Sequence, residues 1–148
     1  MRYDPGPYSE IRFLAHAQAI ETYDRRRRGK KSALDRRMRA VLKECPTVSS
    51  KLVKAAGIEL DEFATSFKDS RDFYTHYNPR AGAEIARGVL LYVVTVQLQA
   101  IIEMSLLHEI GFSCEAIDDI FTTRVARYRE IANAKAQVAD EDAVVPQE

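Results

Sequence analysis

The chain has 148 residues, 46% apolar and 30% charged, with 22 basic and 22 acidic side chains. This length and composition suit one domain, 1–148, and exclude a disordered chain, while a formal charge of zero excludes recognition of a polyanion by bulk charge. The two cysteines, Cys45 and Cys114, lack CxxC spacing; they exclude a disulfide framework and leave reduced thiols in a cytoplasmic setting as the expectation.

The first seven residues include Pro5, Gly6 and Pro7 and predict an irregular lead-in without an apolar signal segment. A helix is expected over 8–28, because Phe13, Ala17, Ile20 and Asp24 recur on one face with Ile11 and Leu14 beside it. Glu21 lies near that stripe, where it reads as a rim charge or a supporting partner of a site, and His16 among alanines reads as a structural histidine. RRRRGKK follows. From Arg25 to Lys43 there are ten Lys or Arg and one acid, Asp35. Basic residues near a helix C-terminus complement its dipole, and such a run also suits a phosphate backbone. Arg25, Arg26, Arg27, Arg28, Lys30 and Lys31 are therefore both a solvated helix end and candidate RNA contacts.

Ser32 is placed to cap the next helix, whose inner stripe is Leu34, Met38, Val41, Leu42 and Cys45, with Pro46 as its stop. A short helix is expected around 51–56, closed by Gly57. A further helix begins near Leu60 and carries Phe63, Phe67, Ser70, Tyr74 and Tyr77 at core spacing, up to Asn78-Pro79. A long helix over 81–110 follows, apolar nearly all round from Val89 to Ile102, which calls for a central position or a subunit interface. Gln97 and Gln99 interrupt it, and its apolar run is too short to span a bilayer. Gly111 stops it, with His108 in the last turn. Ser113 caps a last helix with Ile117, Ile120, Phe121, Val125 and Tyr128 inward. The core is expected over 8–133, with 134–148 a frayed acidic tail. Strand-like alternation is absent, so the fold expected is an all-α bundle of four long helices plus a short one.

The chemistry concentrates in FKDSRDFYTHYNP, residues 67–79. Asp72 and His76 stand at i and i+4 on one helical face. Arg71 and His76 stand about 140° apart, within reach if the last turn loosens before Pro79. An arginine, a titratable imidazole and an acid suit a phosphodiester, though the same trio also forms ordinary solvated ion pairs. Tyr77 reads equally as core or as a base-stacking ring. No His, Cys, Asp or Glu cluster has metal-ligand spacing, and Asp118-Asp119 reads as helix surface.

RDFYTH, Arg71 to His76, resembles the RX4-6H signature of the HEPN superfamily, and TSFKDSRDFYTHYNP before a long aliphatic helix is similar to the ApeA-like HEPN group. The likeness extends over roughly residues 10–130. It implies a HEPN-like helical bundle, commonly dimeric, that acts as a metal-independent endoribonuclease of prokaryotic defence or toxin systems without a cofactor. The catalytic residues implied are Arg71 and His76, with Asp72 in support where the group often has Asn. Two copies facing each other through the motif helix and the long apolar helix would supply two histidines, one as base and one as acid. The implied partners are an RNA substrate, a second copy and a defence-system protein, with no membrane. HEPN toxins silenced by a nucleotidyltransferase carry Tyr two positions after the histidine; this chain has Asn78 there and Tyr77 one position after.

Overall fold

The computed structural model describes residues 7–29, 31–77, 83 and 85–143. These form seven α-helices and no strand: α1 (Pro7–Arg28), α2 (Leu34–Leu42), α3 (Pro46–Lys54), α4 (Leu60–His76), α5 (Gly88–Glu109), α6 (Cys114–Asp119) and α7 (Arg127–Ala143). A π-helical turn, Ile120–Arg124, joins α6 to α7. The all-α expectation holds, with four long helices (α1, α4, α5, α7) and three short ones.

α5 is the axis of the bundle. It packs against α1, α2, α3, α6 and α7, and Leu91, Val93, Val94, Leu98, Ile101 and Met104 are all buried. By length and composition α5 could cross a membrane, but 61% of its most apolar window is covered by this chain. Its buried polar side chains are bonded to backbone carbonyls, apart from Gln97 Oε1, which is buried without a partner among the described residues. Thr95 and Ser105 hydroxyls donate to the carbonyls of Leu91 and Ile101, and Gln97 Nε2 donates to Leu52 O at 3.1 Å. Of the two positions open to an all-round apolar helix, the central one is occupied.

The stripes read from α1, α2 and the first three turns of α4 are inside, except that Ile11, expected beside the α1 stripe, is exposed. Phe13, Ala17, Ile20, Met38, Val41, Phe63 and Phe67 are buried, as is Asp24. Phe13 meets Phe67 and Tyr74 edge-on, with centroids 6.2 and 5.8 Å apart. α4 packs on α1, α2 and α3. Its C-terminal turn therefore lies on the flank of the molecule.

Several boundaries differ from expectation. Ala33, not Ser32, is the N-cap of α2, and the Ser32 carbonyl instead accepts from Arg37 Nε at 2.9 Å. Pro46 opens α3 rather than closing α2, a position where its missing N–H costs nothing. The long helix starts at Gly88 rather than near 81, because Gly88 sits at φ +55°, where a continuous right-handed helix cannot run. The last helix is broken by the π turn and by Ala126 at φ +48°; it then resumes as α7 through Ala143, beyond the expected frayed boundary at 133.

The cysteines require a correction. Cys45 and Cys114 form a disulfide with Cα atoms 5.4 Å apart, across 69 residues of sequence. Cys45 ends the α2–α3 corner and Cys114 opens α6, and packing of α3 on α6 brings the two sulfurs together. That juxtaposition has no local sequence signal.

Candidate active site

The last two turns of α4 build the site. Thr75 Oγ1 donates to the Arg71 carbonyl at 2.8 Å, and the helix ends where Tyr77 adopts the left-handed conformation, φ +51°. The returning chain is pinned to α4 at Ala86. Its N–H donates to Ser70 Oγ at 2.9 Å, and its carbonyl accepts from Tyr74 Oη at 2.8 Å. Both bonds are buried. They fix the helix end on the side facing the core and leave its outer side to Arg71, Asp72 and His76.

Arg71 is held from two directions. Its Nε lies 2.9 Å from Glu21 Oε1 on α1, and its Nη1 lies 3.3 Å from Asp72 Oδ1. The Glu21 oxygen is buried and receives no well-directed hydrogen bond, so its interaction with the guanidinium is ionic. The Nη2 edge of Arg71 has no partner among the described residues. The expected Asp72–His76 pair is not formed: Asp72 gives its carboxylate to Arg71. His76 is exposed, and no described residue bonds to its ring. The helix stays regular through His76 and departs only at Tyr77. Arg71 and His76 thus keep their separation of about 140° around α4.

Among the described residues, rings and a further cation lie around this pair. Phe73 stacks edge-on with Tyr74 and Tyr77, at 5.1 and 5.9 Å. The Arg87 guanidinium sits 4.9 Å from the centre of the Phe73 ring. Arg87 escaped the sequence reading, because it lies beyond Pro79 and only the Ala86 tether returns it to α4. Tyr77 is exposed rather than core, and its hydroxyl donates to Glu10 Oε2 at 3.2 Å. The Glu10 carboxylate holds the Tyr77 phenol above its usual range. Burial, followed by the Glu10 charge, raises Tyr74.

The basic run divides. Arg28 pairs with Asp24, and its Nη2 donates to Glu44 Oε1 at 2.8 Å and to Ala40 O at 3.0 Å. Arg27 pairs with Glu109 and lies 3.5 Å from Glu44. These two arginines stitch α1 to the α2–α3 corner and to the end of α5. Arg25, Arg26 and Lys31 are exposed, and Lys30 falls outside the described residues. His16 Nδ1 donates to the Arg12 carbonyl at 2.7 Å, a structural role. Asp118 accepts from Lys51 at 2.5 Å and from Tyr128 at 2.6 Å.

One grouping has no counterpart in the sequence spacing. Cys45, His108 and Cys114 offer ligand atoms that all lie within 4.8 Å of one another.

Compared with known proteins, residues 14–116 match a family model described as Apea-like HEPN, more than two thirds of the chain, with Arg71, Asp72 and His76 inside the match. No curated protein and no solved structure matches the chain.

Proposed function

Because the chain belongs to the Apea-like HEPN family, we propose that it is a metal-independent endoribonuclease of a prokaryotic defence or toxin-type system, working through a composite site between two copies. HEPN domains are often ribonucleases and commonly dimerise, which supports the coarse reading. The observation that carries the finer one is the contrast within a single helix end. Arg71 is oriented by an acid from another helix, while His76 five residues on is exposed, with no described partner for its ring.

Cleaving RNA without a metal needs a base for the 2′-hydroxyl, an acid for the departing 5′-oxygen and positive charge at the phosphorane. One chain brings one imidazole to this face. A two-fold dimer brings two, so one His76 removes the 2′-proton and the other protonates the leaving oxygen. The Nη2 edges of the two Arg71 side chains hold the non-bridging oxygens. The products are a 2′,3′-cyclic phosphate and a 5′-hydroxyl end. Exposed apolar side chains border the site: Tyr77 just past α4, and Tyr8 and Ile11 one turn apart on α1, whose Glu10 bonds Tyr77. They suit contact with a second copy better than α5, most of whose apolar window this chain already covers.

Asp72 restrains Arg71 in the free protein and yields it when a phosphate arrives. Of the basic run and the helix-end cations, Arg25, Arg26, Lys31 and Arg87 are exposed and left for flanking phosphates. Arg27 and Arg28 act in the fold instead.

A second reading rests on the same geometry. Two carboxylates face one guanidinium, which weakens its hold on a phosphate. A non-catalytic module that binds RNA, a nucleotide or a protein through this face would tolerate that balance. The deciding experiment is RNA cleavage by wild type, Arg71→Ala and His76→Ala in EDTA, with product ends mapped and the mass in solution measured. Cyclic-phosphate ends lost in both variants of a dimer support the nuclease. Folded wild type that binds RNA without cutting supports the module, and equal cleavage by all three overturns the assignment to Arg71 and His76.

A further inference from the structure

The sulfurs of Cys45 and Cys114 and a ring nitrogen of His108 converge from three separate elements. Cys45 is the residue before α3, His108 is in the last turn of α5 and Cys114 is the first residue of α6. In the structure the two sulfurs are bonded to each other. We propose that the reduced chain binds one zinc-class divalent cation at Cys45, His108 and Cys114, so that the same two sulfurs alternate between a disulfide and a zinc dithiolate.

The donor set is the first argument. Two thiolates and an imidazole are what a tetrahedral, borderline-soft cation selects, with water completing the fourth position. Zn–S bonds of about 2.3 Å at the tetrahedral angle put two sulfurs about 3.8 Å apart. Cα atoms 5.4 Å apart allow that separation by side-chain rotation, without moving α3 or α6.

Charge is the second. Cys45 is fully buried, and Cys114 and His108 are half-buried. Two thiolates neutralise the dication, so the site holds no net charge that burial would penalise. Two carboxylates adjacent in sequence are already committed: Glu44 to Arg28 and Tyr23, and Glu109 to Arg27. They balance arginines and leave the cation to the sulfurs.

The histidine is the third. Its Nδ1 faces the Phe112 carbonyl at 3.4 Å, the outer limit of a hydrogen bond. A proton held there on Nδ1 leaves Nε2 neutral and able to coordinate, the arrangement that backbone carbonyls commonly impose on zinc-bound histidines.

The exchange balances. Loading the reduced pair with zinc releases two thiol protons. A disulfide-class oxidant such as oxidised glutathione then accepts two electrons from the two thiolates through a mixed disulfide. With two protons it leaves as two molecules of glutathione; the Cys45–Cys114 bond forms and the cation is released. The group is separate from the Arg71–His76 face: it borders the Arg27 end of α1, whereas Arg71 meets α1 at Glu21, about 9 Å back along the helix axis, and Tyr77 at Glu10, about 25 Å back.

The test is anaerobic titration of the full chain with cobalt(II), then competition by zinc against a chromophoric chelator, on reduced and on oxidised protein. The reduced chain is expected to take one cobalt, with sulfur-to-cobalt charge-transfer absorption and the intense visible bands of a tetrahedral ion, and the oxidised chain none. Cys45→Ser and Cys114→Ser should each abolish the charge-transfer signature's two-sulfur intensity. His108→Ala should weaken zinc at least about tenfold; His108→Gln serves as a second variant, with folding checked by circular dichroism. Unchanged affinity in both folded His108 variants, equal binding by the oxidised chain, or no tetrahedral cobalt spectrum in the reduced chain overturns the proposal.

Discussion

Replacing Glu21 by Gln tests whether Arg71 is positioned or merely neighboured. The substitution keeps shape and removes one charge. Glu21 and Arg71 approach to 2.9 Å, with side chains 17% and 29% exposed. At an effective dielectric of about 20, such a contact is worth about 4 kcal/mol before desolvation. Desolvation of both groups takes back most of that, and partial exposure screens the rest, so the expected net loss is about 1–2 kcal/mol. For a chain of this size, that lowers Tm by roughly 2–6 °C. Urea unfolding of Glu21→Gln, Arg71→Gln and the double variant gives the coupling directly. It should exceed the coupling of Asp72 to Arg71, whose contact is longer and between sequence neighbours. In the cleavage assay a guanidinium freed to swing by about 1 Å loses up to about a hundredfold in rate, and Glu21→Gln should lose at least tenfold in kcat/KM. A coupling below about 0.3 kcal/mol together with wild-type cleavage would refute the view that α1 positions Arg71.

Phe67→Ala removes a fully buried ring that meets Phe13 edge-on, and should cost about 3–5 kcal/mol in urea unfolding. Reducing the Cys45–Cys114 bond frees a 69-residue separation, and in a chain-entropy treatment should lower stability by about 4 kcal/mol in the absence of metal, read as a shift of the urea midpoint. Ala126→Gly relieves a left-handed alanine at the start of α7 and should raise stability by about 0.5–1 kcal/mol. Burial pushes the Asp118 carboxyl up, but hydrogen bonds from Lys51 and Tyr128 outweigh it and hold the group below its usual range. Its stabilisation is therefore complete above the unfolded value of about 3.9 and fades as pH falls through the lower folded value. Asp118→Asn should cost about 1–2 kcal/mol at pH 7 and progressively less toward pH 2, measured by unfolding across that range.

What the sequence made legible was periodic or local. Phe13, Ala17 and Ile20 repeat every three or four residues and are core, and Ser113 caps α6 through the Ala116 N–H as its position suggests. The arginine–histidine spacing needed no long-range information, so the motif was visible. Tyr77 followed the same spacing yet is exposed, because the helix ends one residue earlier and the backbone turns left-handed. The contacts that were not legible join distant segments. Glu21 reaches Arg71 across 50 residues, Arg87 returns to Phe73 through Ala86, and the sulfurs meet across 69. Periodicity places a residue on a face; it does not say which other face will meet it. The arginine run shows the same limit, since only packing separates Arg27 and Arg28, spent on Glu109, Glu44 and Asp24, from Arg25 and Arg26.

The two buried bonds from Ser70 and Tyr74 to Ala86 act as a hem. They stitch the chain down nine residues after Tyr77, so exchanges ahead of Ile85, which packs against the core, leave both bonds to the end of α4 in place. Because closing a longer loop costs only about 0.6 kcal/mol per doubling of its length, such changes are thermodynamically cheap. A protein under pressure to change what it recognises could rewrite that segment freely while Arg71 and His76 keep their register.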